Sequence, residues 1–332
     1  MSTTVRPYLP PEELKREEDA STARELAWLL DSLQETLASL KSGLEDCYAL
    51  LAPIEPGSTL VMSSPRSENV KGHVTRVGDA VVRGTLHLRL KTLPHIDLTL
   101  QPTNPLPLPT LSHLRTLLNQ SLDCIDITRW TGDRHSAPFI SSQLLLLHSI
   151  LREALLITRP AVLEAPDPEH GTVIPTHSPP HSHGNTGVNT PTALASASTA
   201  GDSTGLDWAH TPTSPLHFNP PLPPSLSLTL TPSSTSLLLT LRVLEPAINA
   251  SHLGSRFAHA IGAQRRLEHD EMDGVYMFRG EEVRVKEKVV VESSADPSLL
   301  SLGAKLGALE RGVGGMREAL RAVMGVEGEE EE

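Results

Sequence analysis

Residues 25–51 read ELAWLLDSLQETLASLKSGLEDCYALL, and the placing of their apolar side chains decides the architecture. Leu26, Leu30, Leu33, Leu37, Leu40, Leu44, Cys47 and Leu51 recur in alternating steps of four and three. That spacing keeps a single stripe of a helix apolar, as in a heptad seam. Pro10 and Pro11, followed by Glu12 and Glu13, suit the start of this helix. A missing N–H does no harm there, and carboxylates meet the positive end of the helix dipole. Pro53 stops it. The pattern predicts one long helix over 11–51.

A second heptad lies at the other end of the chain: Leu299, Leu302, Leu306, Leu309, Val313, Met316, Leu320 and Val323. Asp296-Pro297 opens it as a cap and a first-turn proline. Gly303, Gly307, Gly312, Gly314 and Gly315 interrupt it. Each costs about 1 kcal/mol relative to alanine inside a helix, so the segment needs a partner to bury its leucines. The two terminal heptads are expected to pack on each other within one chain, with Gly303 and Gly307 allowing a close backbone approach. Two shorter helices are expected between them. One runs from Pro109 to Trp130 with Leu111, Leu114, Leu118 and Ile125 on one side. The other carries Ile140, Leu144, Leu147, Leu151 and Ala154 and ends before Pro160. Four such helices can close an antiparallel bundle.

Elsewhere the period switches to two. Thr59–Ser63, Gly72–Val77, Val81–Lys91 and His95–Leu100 read as strands, with Leu86, Leu88 and Leu90 on one face and His87, Arg89 and Lys91 on the other. Ser225–Thr231 with Ser236–Leu244, and Val275–Arg279 with Glu282–Glu292, read as two hairpins. The expected class is α+β. Residues 11–57, 104–160 and 293–326 would form the helical bundle, and 58–103 with 225–292 a separate antiparallel β domain. The stretch 161–224 holds twelve prolines, and no Lys or Arg occurs between Arg159 and Arg242. It is expected to be a disordered insertion, because it lacks the apolar surface that offsets ordering entropy. Residues 1–10 and 327–332 are expected to be tails.

The composition narrows the chemistry. Of 332 residues, 38% are hydrophobic and 3% aromatic, and the net charge is −12, which argues against nucleic acid as the main ligand. Cys47 and Cys124 are too few for a disulfide framework and read as reduced thiols. Residues 1–20 have no apolar stretch suited to a signal peptide, and nowhere do about 18 apolar residues run together, so no span is expected. Phosphate-binding glycine loops, HExxH and paired CxxC are absent from the sequence. His177, His181 and His183 lie close together but without evident supporting partners. His269-Asp270-Glu271 reads as a polar turn and Asp133–Ser136 as a helix break. Ser178-Pro179, Thr190-Pro191, Thr211-Pro212 and Ser214-Pro215 are proline-directed phosphorylation dipeptides. No catalytic, cofactor-binding or metal residue is assigned, and no cofactor is expected.

Three features together resemble the Rogdi leucine-zipper-containing family. The first is Glu25-Leu26-Ala27-Trp28-Leu29-Leu30 on the long N-terminal helix. The second is Asn69-Val70-Lys71-Gly72-His73-Val74-Thr75 with Gly78-Asp79 and the strand Gly84–Leu90. The third is the C-terminal hairpin and helix. The resemblance covers about 11–160 and 225–325, and 161–224 departs from it as a fungal-style insertion. It implies a bundle joining both chain ends, a separate β domain and no catalytic residues. It also implies the role of its fungal members, the small subunit of the RAVE complex. That complex returns the detached peripheral sector of the vacuolar and endosomal ATPase to the membrane sector and so restores acidification. The implied partners are the large RAVE subunit and peripheral-sector subunits, with cytoplasmic residence, indirect membrane contact and a monomer outside the complex. The competing reading is a generic coiled-coil scaffold or dimeric adaptor; an enzyme with an unfamiliar site on the β domain is a third.

Overall fold

The computed structural model describes residues 10–64, 69–158, 207–247, 269–272 and 274–325. Helix α1 spans Pro11–Leu50. A meander follows: β1 (Ser58–Ser63), β2 (Val70–Val77), β3 (Ala80–Leu88), β4 (Ile96–Leu100) and the short β5 (Leu106–Pro107). Then come α2 (Pro109–Asp126), a π-helical turn at Ile127–Thr131, and α3 (Ala137–Thr158). The second half holds α4 (Asp207–His210), β6 (Phe218–Asn219), β7 (Leu226–Ser233), β8 (Ser236–Pro246), β9 (Tyr276–Phe278), β10 (Glu281–Glu292) and α5 (Pro297–Met324). The class is α+β, as the periodicities require.

Both sheets are antiparallel. One is ordered β1-β2-β3-β4-β6, with β5 pairing β3 at its end; the other is ordered β7-β8-β10-β9. Gly78 sits at φ +64° in the β2–β3 turn, and a Cβ there would press on the Leu51 carbonyl and Pro53 at 3.2 Å. Gly72, in the Val-Lys-Gly block, is needed for a different reason. A Cβ at that position would fall inside contact distance of the Thr85 carbonyl on β3.

The heptads bury as expected. Leu30, Leu33, Leu37, Leu40, Leu44 and Cys47 of α1, and Leu299, Leu302, Leu306, Val313 and Leu320 of α5, are buried. The two helices pack together in opposite directions: Asp46 pairs with Lys305 at 2.6 Å, while Gly43 lies against Leu309 and Leu40 near Gly312. α5 also packs on α3, where His148 meets Glu310 at 3.0 Å and Arg317 at 2.8 Å. α2 contacts α1 through Lys41–Asp126 at 2.7 Å, and α3 through His113–Glu153 at 3.0 Å. Most buried residues of these helices and of both sheets form one contiguous apolar cluster, while Leu244, Phe278, Val283 and Val285 of the second sheet form another with Trp208.

α3 is long and apolar enough, by length and composition, to cross a membrane. The expectation of no such segment missed it because charged and polar residues break the apolar run without lowering its average much. Ile140, Leu144, Leu147, Leu151 and Ala154 are buried at helical spacing along one stripe, while Leu145, Leu146 and Leu156 are exposed.

Asp296 joins the helices to the first sheet. Its carboxylate accepts from the Ser298 backbone N–H, capping α5, and from Ser58 Oγ on β1, both at 2.9 Å. The other oxygen accepts from Arg76 Nε on β2 at 2.6 Å. The pair is 0% and 2% exposed.

Three expectations need correction. Gly303 and Gly307 do not admit a close backbone. A Cβ at Gly303 would meet only the Thr158 side chain at 3.9 Å, and one at Gly307 the Arg311 side chain of its own helix at 3.4 Å and Leu155 at 4.0 Å. The tight approach belongs to Gly43 of α1, where a Cβ would come within 2.7 Å of Leu309 Cδ2. A Cβ at Gly315 would meet open space. Gly315→Ala is therefore expected to add about 1 kcal/mol of stability by propensity alone. Gly43→Ala carries the same propensity gain but forces Leu309 Cδ2 to shift, so its melting midpoint should fall below that of Gly315→Ala. A thermal melt followed by circular dichroism checks both, and a lower midpoint for Gly315→Ala would contradict this account.

The third strand is shorter than the expected 81–91. It leaves the ladder at Leu88 because the backbone N–H groups of Lys91 and Thr92 donate to the Glu287 carboxylate instead, each at 3.1 Å. Glu287 reaches them from a bulge in β10 between Val285 and Glu287.

The stretch expected to be disordered is also too long at its C-terminal end. Residues 207–224 carry α4, a 3₁₀ turn at Pro215–His217, and β6. Trp208, Phe218 and Leu222 are buried, and Phe218 pairs with Leu100. Three large apolar anchors hold a segment whose composition alone argues against order. The rest of that stretch lies outside the described residues, together with the histidine trio at 177–183 and the dipeptides at Ser178 and Thr190.

Candidate functional site

Two regions collect chemically informative side chains. The first surrounds Arg242 on β8. Its guanidinium grips Glu271 with two hydrogen bonds, Nε to Oε2 at 2.6 Å and Nη2 to Oε1 at 2.9 Å. Lys288 on β10 reaches the same carboxylate at 2.7 Å and Asp270 at 2.8 Å. Burial pushes the Glu271 carboxyl up, but the hydrogen bonds from Arg242 and Lys288 outweigh it and hold the group below its ordinary range. The turn at His269-Asp270-Glu271 is thus a structural ion network. Its two carboxylates are matched by two cations, Arg242 and Lys288.

Arg242 also lies over the Trp208 indole at 4.8 Å, and Trp208 packs against Tyr276 and Phe278 at 5.2 and 5.8 Å. Beside this cluster opens a cleft of about 570 Å³, lined by Pro107, Trp208, Pro212, His217, Thr231 and Thr240 among others. Thr211 and Ser214 of the two described phosphorylation dipeptides line it as well. Ser214 Oγ accepts from the Leu216 N–H and so caps the 3₁₀ turn.

The second region is the end of the long helices that points away from the sheets. Arg115 and Ser112 of α2 anchor the near end on Asp79, at the β2–β3 turn. The far end holds the π-helical turn and the N-terminal half of α1. Residues 10–25 are exposed on every side, a rod of several turns with no partner among the described residues. Trp28 just beyond it is 70% exposed, and Trp130 in the π turn is 75% exposed. The Arg129 guanidinium lies over the Trp130 ring at 5.3 Å, and Ile127 beside it is also exposed. Two of the three tryptophans therefore face solvent at one end of the molecule. Exposed indoles are costly to leave in water and are enriched where proteins dock.

The remaining sequence candidates have structural jobs. Asp133 Oδ1 accepts from the His135 N–H, and Ser136 Oγ from the Phe139 N–H, where α3 begins. Cys47 and Cys124 are free and buried. Burial pushes the Cys47 thiol up to about 11 and raises Cys124 as well, so neither is a ready nucleophile. Among the described residues no group of three metal-ligating side chains converges. Sequence reasoning quoted Trp28 without giving it a role and passed over Trp130. The signal was available: each indole lies off the apolar stripe of its helix, Trp28 with Arg24, Glu25, Asp31 and Ser32 one turn away and Trp130 between Arg129 and Thr131.

The family model described as "Rogdi leucine zipper containing protein" matches residues 25–321. The chain belongs to that family. Its Rogdi segment begins at the first residue of the Glu25–Leu30 block and runs almost to the end of α5, so both sheets, Trp130 and the terminal heptads up to Leu320 lie inside it. A curated relative from Schizosaccharomyces pombe, "Regulator of V-ATPase in vacuolar membrane protein 2", is 28% identical over 145 residues. The alignment takes in 42% of this Rogdi-family chain and 50% of the relative, so the chain spans about half the length of the curated protein it matches.

Proposed function

We propose that this Rogdi-family chain is a non-enzymatic subunit of a RAVE-like complex. In this role it promotes return of the peripheral sector of the vacuolar proton-pumping ATPase to its membrane sector and so supports organelle acidification. The observation that carries this reading is the similarity to a relative named as a regulator of V-ATPase, within a chain that matches the Rogdi family over most of its length. The working parts are read as an antiparallel bundle of residues 11–57, 104–160 and 293–326 and a β unit of 58–103 and 225–292. The partners are the large RAVE subunit and peripheral-sector subunits. The protein resides in the cytoplasm and is recruited peripherally to vacuolar and endosomal membranes through them. The exposed indoles at the far end of the helices suit the contact with the large subunit, since tryptophan anchors contribute heavily to protein interfaces.

Deletion of the gene is expected to raise vacuolar pH and leave the peripheral sector in the cytosol. Joint replacement of Trp28 and Trp130 by alanine should abolish co-purification with the large subunit while leaving the thermal melt within a few degrees. Hot-spot aromatic truncations typically cost about 2 kcal/mol or more of binding. Normal acidification in the deletion strain would overturn the proposal. Light scattering separates it from the dimeric-adaptor reading, which requires a doubled mass for the isolated chain.

A further inference from the structure

β7 is the terminal strand of the second sheet and pairs with β8 alone among the described residues. The Leu244 N–H of β8 donates to the Ser225 carbonyl at 2.8 Å, which fixes the phase of the ladder. Ser227, Thr229 and Thr231 therefore spend both backbone groups on Arg242, Thr240 and Leu238. Leu228 and Leu230 alternate with them and turn their N–H and C=O groups to the outer edge. No backbone hydrogen bond from another described element meets them there. An open edge of this kind is a template for one more strand, and proteins usually blunt it with charge. Residues 226–231 read LSLTLT and carry none.

The cleft of about 570 Å³ beside Trp208 reaches this edge. Leu230 belongs to its wall although its side chain is buried in the main apolar cluster, and Thr229, Thr231 and Thr240 line it from the same sheet. Pro107 and Pro109, where β5 passes into α2, supply another wall. His217 gives its Nδ1–H to the Asn104 carbonyl at 3.0 Å, which leaves Nε2 as an acceptor on the lining. Asp, Glu and Lys are missing from that lining, and its one guanidinium, Arg242, is already matched by Glu271. In a chain of net charge −12, this is a cleft whose own charge is balanced. Its surface is proline, leucine and indole interleaved with threonine hydroxyls.

The chemistry narrows the occupant. The volume lies within the ~300–1,000 Å³ of typical ligand sites, so the cleft can seat a few residues of extended chain. An anionic group would need an uncompensated cation, which the lining does not offer. A purely apolar ligand would leave the outward N–H and C=O of Leu230 unmet, at a cost in free energy. An extended polypeptide answers both demands, because it alternates donors and acceptors along one side and needs no charge. We propose that the open edge of β7 and the cleft beside it bind an extended, uncharged segment of a partner protein, which joins the second sheet as an added strand. Main-chain bonds supply the affinity in such strand addition, and the surfaces met by alternate side chains supply the specificity. The inference goes beyond the assembly role and does not depend on it.

The test uses the full chain. A phage-displayed library of random nine-residue peptides is panned against the wild type and against Thr231→Trp, in which an indole fills part of the cleft. Thr231 is exposed, so the variant should melt like the wild type. Peptides poor in charged residues should be enriched on the wild type, and Thr231→Trp should bind them at least about tenfold more weakly, since burial and main-chain bonds are both lost. An enriched peptide is then synthesised with a single N-methyl group at each position in turn. Loss of binding should alternate with period two, because only every second N–H of an added strand faces β7. Amide exchange followed by NMR gives a readout independent of the variant. The Leu228 and Leu230 N–H groups should slow on binding, while that of Thr229, already bonded to β8, is unchanged. Equal enrichment on the wild type and Thr231→Trp would overturn the proposal. So would selected peptides dominated by charged residues, an N-methyl scan without alternation, or unchanged exchange at Leu230. If panning succeeds only after residues 165–200 are deleted, that stretch of the same chain is the occupant, and the assignment to a partner fails.

Discussion

Leu306→Asp is expected to unfold the protein. Leu306 is fully buried in the seam of α5, which packs on α1 to one side and α3 to the other. Truncating such a leucine to alanine costs about 2–5 kcal/mol, a large part of the 5–15 kcal/mol that typically holds a domain together. Aspartate adds the cost of an unpaired charge in an apolar contact. Circular dichroism should show loss of most helix, and binding to any partner should fail with it. Leu300→Asp on the same helix is the control, because Leu300 is exposed and its replacement should leave the melt within a few degrees. The wild type should scatter light as a monomer at micromolar concentration. If the heptads instead form an intermolecular zipper, the wild type doubles its mass and Leu306→Asp gives a folded monomer. That pair of results would refute the packing described above.

A comparable loss should follow Asp296→Ala. The substitution strands Arg76, which is 2% exposed, without its carboxylate, and removes both the cap of α5 and the acceptor for Ser58. Breaking a buried pair on one side costs about 3–5 kcal/mol, and losing the cap about 1 kcal/mol more. Asp296→Asn retains an acceptor for the Ser298 N–H but not the charge, so it should fall between alanine and wild type. Combining Arg76→Met with Asp296→Asn should recover stability relative to Asp296→Asn alone, because no uncompensated guanidinium remains. Urea denaturation of the wild type, Arg76→Met, Asp296→Asn and the double variant completes a double-mutant cycle, and strict additivity would show that the two residues do not act together.

These experiments probe different kinds of information in the chain. The alternating four-and-three steps at 26–51 and 299–323 announced two long helices and their buried stripes, because the period of a helix is set by its own backbone. Asp296-Pro297 marked the start of α5 for an equally local reason, and the cap is present. Strand alternation at 86–91 sorted leucines inward and His87, Arg89 and Lys91 outward. It still overran the end of β3, because Glu287 captures the next two backbone donors from far along the chain.

The five glycines of α5 illustrate the limit from the other side. The four-residue spacing of Gly303 and Gly307 suggests close packing, yet the tight contact falls on Gly43 of α1. The order of 207–224 escaped composition because Trp208, Phe218 and Leu222 find their pockets on distant strands.

The functional surfaces divide in the same way. Residues 25–30 and the Lys71-Gly72 block carried the family resemblance, so the role proposed here rests on what local sequence could show. The exposure of Trp28 and Trp130 at one end required the helix directions. Element type and the burial stripe follow from interactions within a few residues, and so were present in the sequence pattern. Which elements meet, and which side chains they leave facing water, follows from burying all the stripes at once, and only the folded chain settled it.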